Sequence, residues 1–217
     1  MQLTDDRRAL HRIPELDRNL PQTMEYLRSA LENLNCKVFS PMESSLCAFF
    51  DFGRKDAIAF RADADALPIQ EKNKVPYAST HPGVMHACGH DCHIAMLLTA
   101  TRILHDMKEE LCGTVKLAFQ PAEEVALGAK SMVEQGALDG VDACFAIHEW
   151  TDVKSGMVSL EAGPRMASAD EFHITVKGKG CHGAQPERGV DAAVVTAAII
   201  NNLQSVVSRE ISPMDPA

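Results

Sequence analysis

The run Gly83-Val-Met-His-Ala-Cys-Gly-His-Asp-Cys-His93 decides how the rest of this 217-residue chain is read. It holds three histidines, two cysteines and an aspartate. Cys88 and His90 flank one glycine, and in an extended backbone side chains two apart point to the same side. A thiolate and an imidazole facing one way are half of a transition-metal site. Packing or solvation explains a lone cysteine or histidine, but it accounts poorly for so many donors in one short run, so the run is read as metal-binding. A Cys88–Cys92 redox couple fits less well, because the gap is wider than in thioredoxin-like sites. Directly after, Ile94, Met96, Leu97, Leu98, Ile103 and Leu104 make an apolar helical pattern, with Asp91 placed to cap it.

On both sides of this run, short apolar segments end in ligand-type residues. Residues 57–62 predict a buried strand leading to Asp63 and Asp65. Those two carboxylates are either turn chemistry before Pro68 or support for a metal-bound imidazole. Residues 113–119 predict another strand, ending at Gln120-Pro-Ala-Glu123-Glu124. Adjacent glutamates usually form a solvated helix turn; at a strand end, one can bind metal while its neighbour stays free as a base. Residues 141–147 predict a third strand, ending at His148-Glu-Trp150. Upstream, Thr4 and Thr23 are candidate caps of two helices, with strand-like runs at 37–40 and 47–52. Strands alternating with helices indicate an α/β fold: a mixed, largely parallel sheet flanked by helices, with its site along one edge.

The composition shifts near Gly163-Pro164. An alternating strand at 171–177, a glycine-rich turn carrying His182 and an apolar helix from Val190 to Val207 follow. One strand and one helix cannot close a core. Residues 1–164 are therefore read as a metal-binding catalytic domain, and 165–217 as the start of a smaller α+β lid or dimerisation domain. Val194, Val195, Ala198, Ile199, Leu203 and Val206 form an apolar stripe on the last helix, which predicts self-association.

The net charge of -9 argues against nucleic acid and anionic membranes as partners. Seven scattered cysteines and an N-terminus without an apolar export core predict reduced thiols in a cytoplasmic protein. No apolar run is long enough to span a bilayer.

Taken together, the segments RRALHRIPEL, FRADADALPIQE, GVMHACGHDCHIAMLL, FQPAEE, AIHEW and GPRMASADEFHITVKGKGCHGAQPERGVDAA resemble one family. It is the dinuclear-metal amidohydrolases, which include hippurate hydrolases, N-acyl-amino-acid amidohydrolases and plant auxin-conjugate hydrolases, within the aminoacylase and carboxypeptidase group. The resemblance implies cleavage of N-acyl amino acids to a carboxylate and a free amino acid. It implies two divalent metal ions (zinc, manganese, cobalt or nickel). Cys88, His90, Glu124 and His148 match the metal ligands, Glu123 the general base acting on metal-bound water, and Asp65 the acidic residue supporting the metals. His182 matches a lid histidine that polarises the scissile carbonyl across a homodimer. The family has a fifth ligand, a histidine near the end of a much longer chain, so the resemblance is to the N-terminal portion only. Ala64, Cys181, Thr151 and Glu187 depart from the family pattern without removing a ligand. The competing expectation is a truncated, inactive fragment that keeps partial metal binding or self-associates.

Overall fold

The computed structural model describes residues 2–53, 56–163 and 172–212. The chain divides into two compact units, Met1–Asp152 and Val153–Ala217.

The first unit is built on a five-stranded mixed sheet. Its strands are β1 (Lys37–Phe39), β2 (Leu46–Asp51), β3 (Ala57–Asp63), β4 (Thr114–Gln120) and β5 (Ala143–Ala146), in the order β1-β2-β4-β3-β5. β1 and β4 flank β2 antiparallel, while β4 and β5 flank β3 parallel. A parallel pair needs a crossover, and the helix α3 (His90–Asp106) provides it between β3 and β4. The expected α/β sheet with flanking helices is therefore what the chain forms.

Alternation along the strands sets the two faces. Leu46, Ala48 and Phe50 of β2 and Val115, Leu117 and Phe119 of β4 join Leu10, Leu27, Leu31, Ile94 and Leu98 in the main core. Leu10 comes from α1 (Gln2–His11), Leu27 and Leu31 from α2 (Pro21–Leu31), and Ile94 and Leu98 from α3. Each of these fully buried leucines contributes about 1.5–3 kcal/mol. Cys47 and Ala118 point the other way and meet Met132 of α4 (Gly128–Glu134) and Ala137 in a smaller cluster. All four residues of β5 are exposed.

Three expected caps are corrected. Thr4 lies inside the first turn of α1, which starts at Gln2. α2 starts at Pro21, whose fixed φ suits a first helical position. Its N-terminus is satisfied from outside: the Glu15 carboxylate accepts the N–H of Gln22 at 3.1 Å and of Thr23 at 2.9 Å, and the Thr23 hydroxyl also donates to it. The cap of α3 is Gly89, at φ 91°. Asp91 is instead buried against His11 at 2.7 Å and Arg7 at 3.0 Å, tying α1 to α3.

In the second unit, α5 (Ala192–Ser205) starts at a cap formed by Asp191, which accepts from the N–H of Ala193 and Val194. A π-helical turn, Val206–Glu210, follows. Among the described residues the strand expected at 171–177 is not found: Glu171 lies outside them, and residues 172–177 join no ladder with other described residues. Alternation indicates two faces but supplies no neighbour, and an extended run becomes a strand only when one takes its backbone groups. The bridge between Lys179 and Val190 is the pairing seen near it. Val194 and Ile200 on α5 are exposed.

Among the described residues no helix is long and apolar enough to cross a membrane. All seven cysteines are free.

Candidate metal centre

The parallel strands end side by side. Asp63 at the end of β3 pairs with Gln120 at the end of β4, and Arg61 pairs with Ala146 at the end of β5. The carboxyl edge of such a sheet is where α/β folds build sites. Each strand hands its chain to a segment carrying donors: Asp65 after β3, Glu123 and Glu124 after β4, His148 after β5.

Cys88 and His90 converge through a turn, not through the alternation of an extended backbone. Gly89 sits at φ 91° and His90 is the first residue of α3. The positive φ favours glycine there, and a Cβ would also push aside the Glu149 side chain, whose Oε1 would lie 2.6 Å away. The glutamate loop is equally constrained. Ala122 takes φ 54°, and its carbonyl accepts the N–H of Leu127 and of Gly128. A Cβ on Gly128 would sit 1.6 Å from the Pro121 carbonyl oxygen, so only glycine closes this turn.

Asp65 fixes the position of the glutamates. Its Oδ1 accepts the N–H of Glu123 at 2.9 Å and its Oδ2 the N–H of Glu124 at 3.2 Å. Burial pushes its pKa up, and the two N–H donors pull it back. The Asp65 carbonyl accepts Nδ1–H of His90 at 2.8 Å, which leaves the lone pair of His90 on Nε2. His148 is set in the same way, its Nδ1–H donating to the Glu149 carbonyl at 2.6 Å. Its Nε2 is 3.6 Å from Sγ of Cys88.

Donor atoms of Cys88, His90 and His148 lie within 4.8 Å of one another, as do those of His90, Glu123 and Glu124. The two groups share His90. Its Nε2 is 3.7 Å from both Glu123 Oε2 and Glu124 Oε1 and 3.6 Å from Asp63 Oδ2. Nε2 of His90 and Oε1 of Glu124 are buried without a hydrogen-bond partner. Such orphaned acceptors, facing each other, suit a cation. Burial, then the charges of Glu124, Glu123 and Asp63, push the Cys88 thiol up to about 12. The thiol therefore keeps its proton in this acidic setting, and a divalent cation would displace it.

Not every residue of the opening run belongs here. His86 is buried elsewhere, both ring nitrogens unpartnered, and burial lowers its pKa to about 4. His182 lies in the second unit, exposed, with its Nδ1 accepting the N–H of Ala184. Asp63, weighed with Asp65 as turn chemistry or support for a metal-bound imidazole, lies against His93, which the sequence does not single out. His93 follows His90 by three positions in a helix and so shares its face, a signal present in the sequence once the helix start is known. Burial alone would raise the pKa of Asp63, but the His93 hydrogen bond and the charges of His90 and Arg61 bring it down to about 2.

Residues 59–216 match the model of peptidase family M20/M25/M40. The chain is 42% identical over its whole length to an N-acetyl-L-cysteine deacetylase of Bacillus subtilis, covering 52% of that protein. It is 40% identical to an N-acyl-L-amino acid amidohydrolase of Geobacillus stearothermophilus, over 97% of this chain and 58% of the relative. Among solved structures, Bacillus subtilis YXEP, a dinuclear metal binding peptidase from the M20 family, superposes with TM-score 0.66 at 42% identity, over 69% of this chain and 43% of that one. The chain spans about half the length of the curated relatives it matches. It belongs to peptidase family M20/M25/M40.

Proposed function

We propose that this chain carries the metal-holding part of an amidohydrolase that cleaves N-acyl amino acids to a carboxylate and a free amino acid. The observation that carries this reading is the pair of orphaned acceptors, His90 Nε2 and Glu124 Oε1, 3.7 Å apart, with His90 common to both donor groups. Cys88, His90, Glu124 and His148 would hold two divalent ions, with zinc favoured by the thiolate and manganese, cobalt or nickel as alternatives. When bound, the ions supply Lewis acidity toward water and the amide carbonyl.

The protein's own groups do the rest. Glu123 is the more exposed of the two glutamates, its side chain 39% accessible against 20% for Glu124. It is the one free to take a proton from the attacking water and return it to the leaving amine. Asp65 orients both glutamates through their N–H groups. His182, with Nδ1 used as an acceptor, carries its hydrogen on Nε2, the form that donates to a developing oxyanion. The resemblance assigns it that role across a homodimer. The free thiols suit a reducing, cytoplasmic setting.

The relatives' names support the substrate class: deacetylase of N-acetyl-L-cysteine, N-acyl-L-amino acid amidohydrolase. The test is metal content by mass spectrometry together with a panel of N-acyl amino acids assayed with added zinc or manganese. In a version extended to its relatives' length, two equivalents of metal with turnover are expected; the 217 residues alone should bind the second ion weakly and turn over little or no substrate. Absence of metal uptake would remove the reading. Metal uptake without turnover would favour the second reading, an inactive metal-binding fragment that self-associates, to which the exposed apolar residues of α5 also point.

A further inference from the structure

Asp63, His90 and His93 make a third compact group of donors, all buried. It differs from the other two in one respect. Both ring nitrogens of His93 are already used: Nδ1 lies 2.5 Å from Oδ1 of Asp63, and Nε2 accepts the N–H of Glu149 at 3.1 Å. A neutral imidazole has one hydrogen and one lone pair, so nothing is left on His93 for a cation.

What His93 joins is informative. On one side is a rigid anchor. Asp63 is held by Nη1 of Arg61 at 2.8 Å, and Nε of Arg61 donates to Oε1 of Gln120 on the neighbouring strand at 2.9 Å. On the other side is Glu149, whose carbonyl takes the Nδ1–H of His148. The backbone of Glu149 is thus pinned at its N–H by His93 and in turn pins the His148 ring through its C=O. The rings of His93 and His148 also meet directly, at 4.5 Å between centroids and 68° between planes. His148 is exposed and follows the exposed strand β5, so it has little burial to hold it.

We propose that His93 is a positioning residue: it braces the Glu149 backbone from Asp63 and so aims Nε2 of His148 at Cys88. The proposal rests on the metal-centre reading above.

The test uses cobalt(II) alone as the probe, read by absorption spectroscopy on wild type, His93→Asn, His93→Gln and His148→Ala. His93→Asn keeps a donor for Asp63 but offers no acceptor to the Glu149 N–H. Cobalt affinity should fall about 10–100-fold, as for other groups that orient a ligand. Its d–d spectrum should move to that of His148→Ala while the Cys88 thiolate charge-transfer band persists. His93→Gln restores an acceptor at the reach of Nε2 and should return the wild-type spectrum. A wild-type affinity and spectrum in His93→Asn, with both altered in His148→Ala, would overturn the bracing role and leave the metal centre intact. Wild-type cobalt binding in His148→Ala would instead remove the metal-centre reading, and this proposal with it. Should His93→Asn fail to fold, nitrogen-15 spectra of the metal-free wild type decide: His93 protonated on Nδ1, with Nε2 free to accept the Glu149 N–H, supports the bracing, and protonation on Nε2 overturns it.

Discussion

Replacing Asp65 by asparagine isolates what orients the glutamates. The carboxylate is 1% exposed and accepts two backbone N–H groups, one on each oxygen. Hydrogen bonds to a charged group contribute about 1.5–3 kcal/mol each. Asparagine keeps one oxygen and turns an NH2 toward the other N–H, so one bond is lost and two donors face each other. The expected loss is about 2–4 kcal/mol of unfolding free energy, measured by urea denaturation. The Asp65 carbonyl, which holds His90, is untouched by the change. Metal affinity should therefore fall by the loosened glutamate side only, about 10–100-fold by titration calorimetry with zinc. Asp65→Ala leaves both N–H groups bare and should cost more in each measurement. A change in unfolding free energy below about 0.5 kcal/mol, the scatter of ordinary surface substitutions, with unchanged zinc affinity, would refute the reasoning.

The two glutamates should separate in mutation: in a version extended to the relatives' length, Glu123→Gln is expected to keep metal content and lower turnover by about 10² or more, whereas Glu124→Gln should lose metal, and equal metal loss in both would reverse or void the assignment. The hydrogen bond to Asp91 raises the pKa of His11 above its ordinary 6.5, against the opposing effect of burial. A raised folded-state pKa gives stability that is complete below about pH 6.5 and lost as pH rises through the folded value, so denaturation midpoints should fall as pH rises above about 6.5 in wild type and less so in His11→Asn. Equal slopes in the two proteins would count against the His11–Asp91 pair. Sedimentation of the chain should show self-association through α5, reduced by Val194→Lys and Ile200→Lys, and a monomeric wild type would reject this.

The strands were legible because short apolar runs bounded by turn residues have few other uses. β3, β4 and β5 fall within two residues of their expected limits, and each hands on to a donor-bearing segment. Their pairing was not legible. That β2 lies between β1 and β4 depends on contacts distant in sequence, with Leu46 opposite Phe119. The caps failed because other groups take their place. Thr23 has the chemistry of a cap, but Pro21 starts the helix earlier and Glu15, eight residues before Thr23, takes the free N–H groups. Asp91 also has a cap's chemistry, yet His11 and Arg7 from α1 claim its carboxylate.

The site divides along a similar line. Which residues carry donors is a property of side-chain identity, and the sequence displays it. Where the donors point is decided here by backbone carbonyls, which every residue possesses and no motif marks. The carbonyl of Asp65 directs His90, and that of Glu149 directs His148. Both send the free lone pair to Nε2, so two histidines 58 positions apart acquire the same tautomer from unrelated neighbours. Asp65 combines both kinds of control, its carboxylate acting on the glutamate loop and its carbonyl on the helix start. A side-chain substitution there can disturb only the first. An ester linkage between residues 65 and 66 weakens the Asp65 carbonyl as an acceptor, and it also removes the Ala66 N–H bonded to the Glu15 carbonyl at 2.8 Å. Comparing Asp65→Asn with that ester, matched by a control for the lost Ala66 bond, would therefore weigh the loop against the imidazole in holding one metal centre.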